Sequence, residues 1–86
     1  MSSAVDDLTL HEIRRAAERV LGRPVSVTPE SDIARDLDID SLTLMNIVME
    51  LEDRFDISIP LERMVVVQTV GDLAAMLREL RARGRD

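Results

Sequence analysis

Three stretches of the chain repeat apolar residues at three- and four-residue steps, a period that suits helices rather than strands. Leu10, Ile13, Ala17, Val20 and Leu21 form the first, and Leu44, Ile47, Val48, Leu51 and Phe55 the second. Val70, Leu73, Ala74, Leu77 and Leu80 form the third. Thr9 and Glu12 have the spacing of a capping box, so the first helix is expected over 10–21, stopped by Gly22 and Pro24. The second is expected over 41–55. The last is expected over 70–82, with Thr69 as its cap and Asp72 near its positive end. Pro60 suits the start of a short helix over 61–66; a strand through Met64–Val67 would have no second strand to pair with. Residues 23–40 carry two prolines and scattered apolar anchors (Val25, Val27, Ile33, Leu37, Ile39), which favour an ordered loop with one short turn near Thr28-Pro29-Glu30. The expected fold is all-α: a four-helix bundle with a short third helix and a long loop between helices 1 and 2. It forms one domain over 1–86, with an ordered core of about 6–82 and a flexible tail over 83–86.

Composition narrows the function classes. A chain of 86 residues supports a modest core but no deep enclosed catalytic pocket. Cysteine is absent, so no disulfide, zinc-thiolate cluster or thiol nucleophile is available. Phe55 is the only aromatic residue, so the core is aliphatic. No stretch reaches the roughly 20 apolar residues of a membrane span, and the N-terminal MSSAVDDLTL lacks the regions of a signal peptide. The expectation is a soluble, cytoplasmic monomer that contacts neither membrane nor nucleic acid. The net charge of −6 is uneven: residues 30–62 hold ten acids against two bases. Such a segment repels nucleic acid and attracts basic protein surfaces.

The densest run of that acidity is DLDIDSLTL, Asp36–Leu44, with aspartates at alternate positions before a serine. As a calcium loop it would place Asp36, Asp38 and Asp40 at the first three ligand positions. It would also put Ser41 where the sharp turn needs glycine, and Ile47 where the cation needs a bidentate glutamate. A metal site is therefore not expected. Either Asp40 or Ser41 suits the N-cap of helix 2. If Ser41 is not merely a cap, a phosphate attached to it would meet the free N–H groups and positive end of the helix.

Helix 2 carries a second apolar stripe. At roughly 100° per residue, Ile47, Val48, Leu51 and Phe55 lie within about 60° of Leu44, whereas Leu42, Met45 and Met49 lie at roughly 160°, 100° and 140°. Asn46, Glu50, Glu52 and Asp53 border this second stripe. An apolar stripe away from the core and rimmed by acids is a candidate docking surface, and methionine adapts to varied partners. His11, the single histidine, falls near the start of helix 1 with no catalytic partner evident in the sequence.

The run DLDIDSLTLMNIVMELEDRFDISIP resembles the acyl carrier proteins over nearly the whole chain, through Asp40-Ser41-Leu42, the helix ending Glu52-Asp53-Arg54-Phe55-Asp56, and Ile59-Pro60. The resemblance implies a non-catalytic carrier of acyl thioesters. Ser41 matches the serine to which a separate Mg²⁺-dependent phosphopantetheinyl transferase attaches 4′-phosphopantetheine from coenzyme A. Asp40 matches an acid used in meeting the transferase, and Leu42, Met45 and Met49 match partner-contacting positions. Glu52 and Asp53 match part of an acidic recognition surface. The implied partners are the transferase and acyl-loading and acyl-processing enzymes with basic docking surfaces. The arm would also supply the thiol that a cysteine-free chain lacks. Three positions depart from the pattern. Asp38 stands where many members have glycine, so a different turn is expected there. Thr43 and Asn46 stand where carriers of fatty acid synthesis commonly have acids, which leans towards a specialised polyketide or related pathway. An aminoacyl or peptidyl carrier, and an unmodified acidic helical interaction module, are the alternatives.

Overall fold

The computed structural model describes residues 3–84, with side chains described over 8–83. Among the described residues four helices run in order: α1 Ser3–Leu21, α2 Ser41–Phe55, α3 Leu61–Met64 and α4 Val70–Gly84. α1 packs against both α2 and α4, and among the described residues no strand forms. The expected all-α architecture, with its short third helix and long first connection, is the one observed. Residues 85–86 of the expected tail lie outside the described residues, and α4 continues through Gly84.

The expected start of α1 needs correction. The helix begins at Ser3, so Thr9 lies inside it and is fully buried rather than capping it. Glu12 does not close a capping box. Its Oε1 accepts from Arg54 Nη1 at 2.7 Å and ties α1 to α2. The capping pattern fits because Thr and Glu three apart also occur on successive turns of one helix face. The far end behaves as expected: Gly22 adopts φ +73°, and its N–H donates to Glu18 O at 2.8 Å.

The core is aliphatic, as the composition requires. Ile13 and Ala17 from α1 meet Ile47, Val48 and Leu51 from α2 and Val70, Leu73, Ala74 and Leu77 from α4. Met76 is also buried, on the side of α4 that faces Arg63 and Val67. A salt bridge of 2.6 Å from Arg63 to Glu79 fastens α3 to α4 there.

The long connection is ordered because its apolar anchors reach the core: Val25, Ile33, Leu37 and Ile39 are buried and Val27 packs against them. Its backbone is held at both ends. Glu18 Oε2 accepts from Val25 N–H at 3.0 Å. Further on, the loop pairs with the α3–α4 connection: Ile33 N–H donates to Gln68 O, Val70 N–H to Ser31 O and Gly71 N–H to Pro29 O, each at 2.9 Å. Gly71 is required at that crossing, since a Cβ there would stand 2.9 Å from the Pro29 carbonyl oxygen. The backbone turns at 29–30 and again at 33–36.

Candidate attachment and docking site

The choice between Asp40 and Ser41 as cap is settled by backbone geometry. Asp40 is extended, at φ −83° and ψ 176°, and its Oδ1 accepts from Thr43 N–H at 2.8 Å. Its carbonyl accepts the first helical bond, from Leu44 N–H at 2.9 Å. Ser41 is therefore the first residue of α2, exposed, with its hydroxyl not used as the cap. The Thr43 hydrogen bonds hold the Asp40 carboxyl below the usual aspartate value of 3.8, so it is ionised at neutral pH.

The approach to Ser41 is fixed by Asp38. That residue adopts φ 56°, the left-handed region that glycine occupies most readily. The expected change of turn at this departure from the family pattern is thus not forced. Aspartate is among the few side chains that tolerate this conformation. Buried neighbours on either side, Leu37 and Ile39, support the turn, and Ile39 N–H donates to Ile33 O at 3.2 Å.

Two of the three alternating aspartates, Asp36 and Asp40, are engaged by backbone amides. Asp36 Oδ2 accepts from Asp32 N–H at 2.7 Å, and Asp40 Oδ1 serves the cap. Among the described residues no group of three or more acids or histidines is arranged to hold a metal ion.

An open groove of about 770 Å³ lies beside Ser41. Ile33, Ala34 and Arg35 of the loop form one wall, and Met64, Val65, Val67 and Gln68 the other. Ile39, Asp40, Ser41 and Leu44 complete it at the start of α2. The fit to a tethered arm is good: an exposed hydroxyl at a helix start opens onto a groove of mixed polar and apolar lining.

The second stripe of α2 is largely uncovered. Leu42 is 72% exposed and Met49 60% exposed, whereas Met45 is half-buried. Asp53 is exposed on the same helix. Glu52 is half-buried, and its Oε2 accepts from Ile59 N–H at 2.8 Å, so one carboxylate oxygen braces the chain before α3. Glu50 is drawn to the other side, 3.2 Å from Arg19 Nε and 3.6 Å from Arg54 Nε. At 3.6 Å the second contact is an ion pair without a hydrogen bond, which leaves the buried Arg54 Nε without a hydrogen-bond acceptor. Sequence reasoning missed Leu61, Val65 and Val66 as surface hydrophobes; Val65 is 80% exposed and lines the groove. The sequence signal for the two valines is the run Met64-Val65-Val66-Val67, too short for periodicity to assign a face.

Comparison with known proteins places this geometry. The phosphopantetheine attachment site family matches residues 11–77. A Caulobacter vibrioides protein described as "Probable acyl carrier protein" is 61% identical over 79 residues, covering 92% of each chain. A meromycolate extension acyl carrier protein of Mycolicibacterium aurum is 42% identical over 64 residues, covering 73% of this chain and 66% of that one. The solution structure of the holo acyl carrier protein from Geobacter metallireducens superimposes with a TM-score of 0.80, at 30% identity, over 90% of both chains. Family match, relatives and fold agree: the chain belongs to the acyl carrier proteins, helical carriers that bear a covalently attached 4′-phosphopantetheine.

Proposed function

We propose that Ser41 is the sole attachment residue and that the chain is a dedicated carrier, delivering acyl intermediates within a specialised polyketide or related pathway. The observation that carries the first part is the division of labour at the helix start. Asp40 takes the cap, so the Ser41 hydroxyl is exposed and available. When bound, the arm supplies the thiol for thioester formation that this cysteine-free chain lacks. The chain's own residues do the rest. Asp40 fixes the helix start beneath the hydroxyl, and its charge, with that of Asp53, draws a basic transferase or processing enzyme. Glu52 contributes its remaining carboxylate oxygen to the same field. Leu42 and Met49, with the exposed part of Met45, offer the apolar surface that such a partner buries. Tethering raises the effective concentration of one intermediate at several partner sites without new contacts.

Support for a specialised pathway comes from Thr43 and Asn46, which by the family resemblance stand where carriers of fatty acid synthesis commonly have acids. Similarity to meromycolate extension carriers adds to it. The chain acts as substrate for its transferase and not as a catalyst, with its partners in the cytoplasm.

Intact mass tests the attachment. Wild type and Ser41→Ala are each incubated with transferase, coenzyme A and Mg²⁺. Wild type gains one arm and the alanine variant none; modification of Ser41→Ala refutes the assignment. Because Ser41 is exposed and does not cap, its substitution should change stability by less than about 0.5 kcal/mol. Loss of activity in the variant therefore reports chemistry and not folding.

A further inference from the structure

The acidic segment 30–62 contains two cations, Arg35 and Arg54. They are placed very differently. Arg54 is committed to the α1–α2 contact, 2.7 Å from Glu12 and 3.6 Å from Glu50. Arg35 is exposed, and its guanidinium makes no ion pair or side-chain hydrogen bond among the described residues; only its backbone N–H is engaged, with Asp32 Oδ1 at 2.8 Å. It lines the groove that also contains Ser41, where it is the only cation among the described residues. Each of the two acids of that lining accepts a backbone N–H through one carboxylate oxygen, Asp32 from Arg35 and Asp40 from Thr43.

We propose that Arg35 is a positioning residue for the phosphodiester that the arm introduces at Ser41. The proposal rests on attachment at that serine. A phosphodiester adds one more negative charge to the most acidic part of the chain, and Arg35 is the cation there without a partner. Its planar guanidinium presents paired donors that match phosphate oxygens. Loop 22–40 holds the Arg35 backbone by the Asp32 contact, so the side chain extends from a fixed base. The stripe of Leu42, Met45 and Met49 does not line the groove. Holding the phosphodiester towards Arg35 therefore draws the root of the arm over the groove and leaves the docking stripe clear.

Nuclear magnetic resonance of the apo and holo chain tests this without any partner enzyme. The Arg35 Nε–Hε signal should move on phosphopantetheinylation at about 10 mM salt and return towards its apo position at about 1 M, where the screening length is only about 3 Å. The phosphorus resonance of holo Arg35→Gln should lie where the wild-type resonance lies at high salt, and should lose its salt dependence. Arg35→Lys should fall between. Amide spectra of the variants should overlay the wild type away from the groove. Identical phosphorus resonances in wild type and Arg35→Gln overturn the proposal. So does an Arg35 signal that moves only when a carboxylate-bearing acyl group is loaded, since the anion would then be cargo. Intact mass of each sample separates the two assignments. A wild-type chain that gains no arm at Ser41 overturns the attachment and this proposal with it. Normal gain with unmoved spectra overturns only the role of Arg35.

Discussion

Three truncations on α2 separate folding from docking, because one helix presents a buried leucine and two methionines of graded exposure. Leu51 is 0% exposed and belongs to the buried aliphatic core. Leu51→Ala removes buried methyl groups and leaves a cavity, which costs about 2–5 kcal/mol. With a urea m-value of about 1–1.5 kcal/mol/M for a domain of this size, a loss near 3 kcal/mol moves the midpoint down by about 2–3 M. In temperature the same loss is worth roughly 12–24 °C, at about 4–8 °C per kcal/mol. Met49 is 60% exposed, so Met49→Ala should stay within about 0.5 kcal/mol. Met45 is half-buried, and Met45→Ala should fall between, at about 1 kcal/mol. The assay is urea unfolding of the three variants and wild type, followed by acyl-transfer kinetics on the phosphopantetheinylated forms with one partner enzyme. Met49→Ala should unfold with wild type yet transfer more slowly, since an exposed hydrophobe that fills a partner pocket matters to binding and not to folding. Met49→Ala unfolding as early as Leu51→Ala would refute the assignment of faces. Wild-type stability combined with a wild-type transfer rate would refute the stripe as the docking surface for that partner.

Two further outcomes follow from local geometry. At Asp38 the left-handed backbone tolerates aspartate and glycine but not a β-branched side chain, so Asp38→Val should cost about 1–3 kcal/mol while Asp38→Gly stays within about 1 kcal/mol; equal melting temperatures for both would show that the turn is not strained. Asp40 and Asp72 are both held below 3.8 by hydrogen bonds at helix starts, from Thr43 and from the Gln68 and Thr69 amides respectively. Their stabilisation is complete above the unfolded value and is lost as pH falls through the lower folded value. Melting temperature followed from about pH 5 to about pH 2 should therefore fall, and less steeply in the double variant Asp40→Asn, Asp72→Asn; parallel curves would refute the linkage.

Much of this protein was legible in its linear sequence. The period of Leu44, Ile47, Val48, Leu51 and Phe55 defined α2 and its buried face, since helical spacing alone determines which residues align. Ile33, Leu37 and Ile39 likewise announced an ordered loop, because apolar side chains in a connection have nowhere favourable to go but the core. Ser41 stood out by its motif. Tertiary structure decided what depends on distant partners. Thr9 and Glu12 spell a capping box locally, yet the helix runs through them because one is buried and the other meets Arg54, 42 positions away. Glu50, Glu52 and Asp53 look alike as acids beside a stripe. Only the fold shows Glu50 turned to arginines of α1 and α2, Glu52 bracing Ile59 N–H and Asp53 facing solvent. The groove is the clearest case. Its walls, Ala34 and Arg35 on one side and Val65, Val67 and Gln68 on the other, come from segments roughly thirty residues apart in sequence. They are brought together by backbone pairing of Ile33 with Gln68 and of Ser31 with Val70. No sequence period encodes that juxtaposition, because backbone amides carry the same donors and acceptors at nearly every residue, and only the folded chain selects which of them meet.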